Sequence, residues 1–216
     1  MTATEFEEIQ LFDSSDKPYN FTYGSWTVKW WNWIMSIPKE KNPLCDDTGE
    51  LWSVNQPESD VWFLVGNLAR EFNTGSKVFP HRIIRNMQAG RSILIPVLNC
   101  FATFLEYSGP PHNLRTHDDL LNHVEKDVNS VVKKDLFINN KKYDAVRVSS
   151  DPKIFNMTII EGNALEIENS GLTDAAADGF WVFIKSLSRG HYTISFEGSC
   201  ENGRLSAGAL YEIDVL

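Results

Sequence analysis

Two segments near the C-terminus alternate strictly between apolar and polar residues. Tyr192, Ile194 and Phe196 alternate with Thr193, Ser195 and Glu197, and Tyr211, Ile213 and Val215 alternate with Glu212 and Asp214. A period of two belongs to a β-strand with one buried face, so these strands are expected to pair and aim six side chains into one core. Phe180 to Ile184 is apolar throughout, as in a strand covered on both faces. Leu136 to Ile138, the turn Asn139-Asn140, Tyr143 to Val148, Ile154 to Ile160 and Ala164 to Ile167 extend the same texture. Short strands at such spacing predict an antiparallel β-sandwich or jelly roll, mainly β with two helices.

At 216 residues the chain suits a single domain, here expected over residues 21–216 behind a polar arm, residues 1–20. Hydrophobic residues are 42% and charged residues 23%, which excludes disordered and collagen-like classes. The net charge of -9 opposes phosphate backbones and anionic lipid, so neither nucleic acid nor membrane is an expected partner. The N-terminus carries acids where a signal peptide needs basic residues, so the sequence as it stands reads as cytoplasmic, and as secreted only if a leader was removed. Cys45, Cys100 and Cys200 have neither disulfide-framework nor metal-site spacing and are expected as buried or idle thiols, one disulfide staying open only if a leader was removed.

Two helices are expected. Residues 25–37 are rich in tryptophan: at 100° per residue Trp26, Trp30, Trp33 and Ile37 share one band, while Val28, Trp31 and Met35 lie nearly opposite. A helix apolar on two sides belongs between layers. Gly24-Ser25 is read as its start and Pro38 as its end. Residues 116–134 carry a capping pair, Thr116 and Asp119, and an apolar face of Leu120, Leu121, Val124, Val128, Val131 and Val132. Val61 to Val65 is expected as a central strand. Arg82 to Arg85 and Ser92 to Leu98 are expected as a hairpin about Met87-Gln-Ala-Gly90, with Pro96 marking an edge or a ligand-facing bulge.

Candidate chemistry gathers between the Trp helix and the first strand. Asp46, Asp47 and Glu50 crowd beside Trp52, where they could serve as an acid and base pair, cap the loop, or hold Ca²⁺ through oxygen ligands. Glu106 and Tyr107 follow the Pro96 strand and could reach the same cleft. Asp119, His123 and Asp127 form a helix stripe that reads as a solvated flank rather than a metal site. Ser199, near His191, lacks the nucleophile-elbow context, and no glycine-rich phosphate loop is present.

The segments SWTVKWWNWIMSIPKEKNPLCDDTGELW, DVWFLVGN, AGRSILIPVLN and DGFWVFIKSLSRGHYTISFEG resemble a family of uncharacterised, mostly secreted bacterial proteins. Its members show WWxWxxSIPxxxNPxxDxxG, VWFLxG and DGxWxxLxxLxxGxHxIxF segments, with no activity assigned to them. The resemblance covers residues 24–110 and 140–216 and implies a common site among Asn42, Pro43, Asp46, Gly49, Gln56, Asn99 and Asp178. Met87-Gln88 departs from it, standing where the relatives have an Ile-Pro or Val-Pro type turn.

The sequence therefore predicts a cleft that binds a small molecule or glycan through Trp30, Trp33, Trp52, Trp62, Asn99, Tyr107 and Asp178. Two alternatives stand beside it. One is a hydrolase or lyase using Asp46, Asp47, Glu50 or Glu106 as acid and base, and the other is a structural or interaction protein without such a site.

Overall fold

A computed structural model describes residues 8–68, 79–109, 112–201 and 205–216. The first seven residues of the arm and Pro110-Pro111 lie outside the described residues, as does the His112 side chain. In chain order the elements are α1 (Tyr23–Met35), β1 (Val61–Phe63), β2 (Asn67–Leu68), β3 (His81–Met87), β4 (Ser92–Thr103), β5 (Ser108–Gly109) and β6 (His112–Asn113), then α2 (His117–Asn129). After α2 come β7 (Val131–Ile138), β8 (Lys141–Tyr143), β9 (Val146–Arg147), β10 (Phe155–Ile159), β11 (Gly171–Ile184), β12 (Gly190–Cys200) and β13 (Ser206–Val215). No described helix is long and apolar enough to cross a membrane.

The strands form two mixed sheets packed face to face, a β-sandwich. The first runs β1-β4-β11-β10 with β9 also on β11, and the second runs β2-β13-β12-β7-β8 with β3 also on β13. Tyr192, Ile194, Phe196, Tyr211, Ile213 and Val215 all point into the core between the sheets, from antiparallel β12 and β13, as the alternation predicts. The sheets approach closely at Gly198, where a Cβ would stand 2.5 Å from the Leu98 Cβ.

β11 is buried on both faces, so the molecule has a third layer. Ala175, Ala177, Trp181 and Phe183 face α1, whereas Ala176, Val182 and Ile184 face the second sheet and α2. Trp26, Trp30, Trp31 and Trp33 are each 7% exposed or less, which is the burial expected of a helix apolar on two sides. The long loop after α1 is ordered by short 3₁₀ turns at Lys39–Lys41, Pro43–Cys45 and Leu51–Ser53. The arm also docks, with Phe12 N–H donating to Phe183 O at 2.9 Å and Lys185 N–H to Gln10 O at 2.8 Å.

Several local expectations are corrected. Thr22, not Gly24-Ser25, caps α1, its hydroxyl accepting from Ser25 N–H at 3.1 Å. The Thr116 and Asp119 capping box forms as expected, yet α2 stops at Asn129 because Val131 and Val132 join β7 beside β12. β-branched residues pack better on a pleated sheet than on a crowded last helical turn. β3 and β4 are no hairpin: β3 runs parallel to β13, and the Met87 to Gly90 turn carries the chain between sheets. Residues 164–167 form no strand, because the Asn163 side chain accepts from Leu165 and Ile167 N–H and folds them into a turn. β1 is central in burial but not in order: it ends its sheet, and the Gln56 amide closes its free edge by exchanging two hydrogen bonds with Phe63, at 2.8 and 3.0 Å.

Candidate functional site

β1 pairs with β4 only over Ser92 to Leu94, in parallel, and then the chain turns away at Gly66. Among the described residues no strand replaces it, so one edge of β4 from Pro96 to Phe101 is left without a neighbour. Pro96 suits such an edge because it has no N–H to satisfy. The register also slips there, Phe180 facing Leu98 and Trp181 facing Pro96, which bulges β4 at Val97. On the other edge Val148 N–H donates to Gly179 O and Ser150 N–H to Ala177 O. By antiparallel alternation, the backbone groups of Asn99 and Phe101, opposite Gly179 and Ala177, then point away from β11 toward the free edge.

A cavity of about 490 Å³ runs along this edge of β4, lined by Pro96, Leu98, Asn99, Cys100 and Phe101. Trp30 and Trp31 of α1, with Leu44, Phe101 and Leu165, form one wall. Leu98, Cys100, Cys200, Leu205 and Ala207 form another, while Glu106, Tyr107, Lys126, Asp127, Ser130 and Glu201 bring polar groups. The volume and the mixture of apolar walls with few polar groups are those of a small-molecule pocket.

Three lining residues hold a buried polar atom without a partner: Trp31 Nε1, Asn99 Nδ2 and Glu106 Oε2. Each costs about 1–3 kcal/mol while unsatisfied. Burial pushes the Glu106 carboxyl up to about 7; the hydrogen bond with the Tyr107 side chain opposes this, and the negative charge of Asp127 adds to it. Burial likewise raises the Tyr107 hydroxyl and the Cys100 thiol. The backbone holds Glu106 in place, its N–H donating to Thr103 Oγ1 at 3.0 Å. The thiols reach the end of α2, Cys100 Sγ to Val124 O at 3.6 Å and Cys200 Sγ to Asp127 O at 3.7 Å.

The candidates divide between this cavity and the framework. Trp30, Asn99, Glu106 and Tyr107 line the cavity together. Trp33 is packed in the core and donates to Val54 O at 3.3 Å, while Trp52 and Trp62 pack on each other with ring centres 5.6 Å apart. Asp178 is buried in an ion pair with Arg147 at 2.6 Å and accepts from Gly179 N–H at 2.8 Å.

None of Asp46, Asp47 and Glu50 lines the cavity. Asp46 accepts from Thr48 N–H at 2.9 Å, from the Thr48 hydroxyl at 2.5 Å and from Leu51 N–H at 2.7 Å, so it closes its own loop. Asp47 accepts from Asn67 Nδ2 at 2.9 Å, and Glu50 is exposed. Among the described residues no group of three or more His, Cys, Asp or Glu is placed to hold a metal ion. Ser199 and His191 lie near opposite ends of β12.

Trp31 and the two cysteines line the cavity without being marked as site residues by the sequence, and Asp127, read there as part of a solvated flank, lines it as well. Trp31 carried a signal, since it stood on the second apolar band of its helix. The cysteines carried none, because their meeting depends on how the two sheets stack. Comparisons of the chain with protein-family models, with curated proteins and with solved structures give no match.

Proposed function

We propose that the chain is a small-molecule-binding β-sandwich protein whose ligand occupies the cavity along the free edge of β4. A single observation carries this reading: a pocket of about 490 Å³ with indole walls, whose lining residues hold three buried polar atoms that lack partners. Native interiors seldom leave such atoms unpaired, and a ligand is one way to satisfy them. A saccharide unit or a compound with one aromatic ring fits the wall of Trp30, Trp31 and Phe101. The test is a panel of mono- and disaccharides and single-ring aromatics, read by tryptophan fluorescence. A saturable change that disappears when Ala207→Phe fills the cavity supports the reading, and the same change in the filled variant counts against it.

A second reading is favoured by the Glu106 carboxyl, raised to about 7 beside Asp127. A buried carboxyl raised in this way serves as proton donor near neutral pH in hydrolases and lyases. On that reading Glu106→Gln abolishes turnover of a bound substrate without weakening its binding.

A further inference from the structure

The charges around the cavity are unbalanced. Among the described residues Glu106, Asp127 and Glu201 line it against one cation, Lys126; Asp127 also pairs with His123 at 3.6 Å, and no Lys, Arg or His forms an ion pair with Glu106. Lys126 and Glu201 are exposed at the rim, whereas Glu106 Oε2 is buried and unpartnered. The aromatic wall adds to this imbalance. Trp31 meets Trp30 edge to face, with ring centres 5.0 Å apart, and lies 4.5 Å from the Phe101 ring centre. Indole faces attract organic cations and repel anions, as does an excess of carboxylates.

We infer that the ligand of this cavity is an organic ammonium compound, with its apolar body against Trp31 and Phe101 and its charged nitrogen against Glu106. The inference rests on the small-molecule reading above and adds the ligand's charge. A bound ammonium would supply the counter-charge that Glu106 lacks and favour its ionised form. Other ionisable groups bear on Glu106 or stand around it: Tyr107 beside it, with the His123 ring 4.4 Å from its own, Cys100 on β4, Asp127 and Lys126 on α2, and Cys200 and Glu201 at the end of β12. Because the Glu106 carboxyl is raised to about 7, binding at that pH expels a proton from it.

Three matched probes test the charge: 4-phenylbutylamine, the neutral 4-phenyl-1-butanol and the anion 5-phenylpentanoate, titrated calorimetrically into the full chain at pH 7. The amine is expected to bind at least tenfold more tightly than the alcohol, with the anion weakest. Repeating the amine titration in Tris and in phosphate should show a buffer-dependent heat, the sign of a released proton. Glu106→Gln should reduce the preference of amine over alcohol to threefold or less and remove the buffer dependence. Alcohol binding as tightly as amine overturns the inference while leaving a small-molecule cavity in place. Failure of all three probes to bind at millimolar concentration overturns the inference, and the Ala207→Phe comparison then decides the cavity separately. The buffer comparison uses unaltered protein, so it holds even if the Glu106 variant folds poorly.

Discussion

The Arg82 guanidinium donates to the Tyr211 hydroxyl at 2.7 Å inside the sandwich, and Tyr211 in turn donates to Val65 O at 2.8 Å. Arg82 is fully buried and also donates to Val65 O, Pro43 O and Asn67 Oδ1. One cation thus ties β13, the segment after β1 and the loop after α1 together, which places Leu44 and Gly66 at the cavity wall. Arg82→Met leaves several buried acceptors without a donor and is expected to destabilise by about 3–5 kcal/mol. Tyr211→Phe should cost about 1–3 kcal/mol. Urea unfolding of both variants measures this, and a loss under 1 kcal/mol for Arg82→Met would refute the role.

Asp46 belongs to the same framework. Burial raises its carboxyl, but hydrogen bonds from Thr48 and Leu51, with the charge of Arg82, outweigh that and hold it below its ordinary value. A carboxyl lowered in the fold stabilises above its unfolded pKa, and that contribution is lost as pH falls through the lower folded value. Asp46→Asn should therefore cost about 1–3 kcal/mol at pH 7, with the difference from the parent shrinking in acid. Melting curves from pH 7 down to pH 3 check it, and an unchanged melting temperature at pH 7 would contradict it.

Glu106 has the opposite sign. Its carboxyl is raised by burial to about 7, so the folded chain holds this proton more tightly than the unfolded chain does. The protonated group is tolerated fully below the unfolded pKa, near 4.5, and stability is lost as pH rises from there through 7. Glu106→Gln, which cannot ionise, should be more stable than the parent at pH 8 by on the order of 2–3 kcal/mol, and nearly equal to it at pH 4. Equal stability at both pH values would show that Glu106 is not held in a buried site.

Gly179 faces Asn99 across β11 and β4, and a Cβ on it would stand 2.6 Å from the Asn99 Cα. Gly179→Ala must push β4 outward just where it lines the cavity. The expected cost is about 1–3 kcal/mol, together with altered quenching of the tryptophans at the cavity wall. A neutral effect on both readouts would mean that the two strands have room there.

The parts of this structure legible in the sequence are those set by local periodicity or local capping. Alternation from Tyr192 to Phe196 and from Tyr211 to Val215 marked the paired strands, and Thr116 with Asp119 marked the start of α2. Elements decided by partners far along the chain were not legible. Val131 and Val132 fit a helix face until β12 is present to pair with them, and β3 fits a hairpin until β13 is present. The candidate site divides the same way. Pro96 announced a bulge, and Glu106 and Tyr107 stood at its far end, because these depend on one strand and the turn after it. The acidic loop drew attention by composition alone, yet its carboxylates meet the loop's own amides and Asn67. No local pattern shows that β1 stops at Phe63 and, among the described residues, leaves β4 half unpaired along the cavity.

The central claim is that this cavity is a ligand site, and crystallographic screening of a diverse fragment set tests it without presuming the ligand's charge. Bound fragments should cluster between Trp31, Phe101 and Glu106, along the free edge of β4. A cavity that stays closed or holds only water while fragments bind elsewhere would contradict the claim.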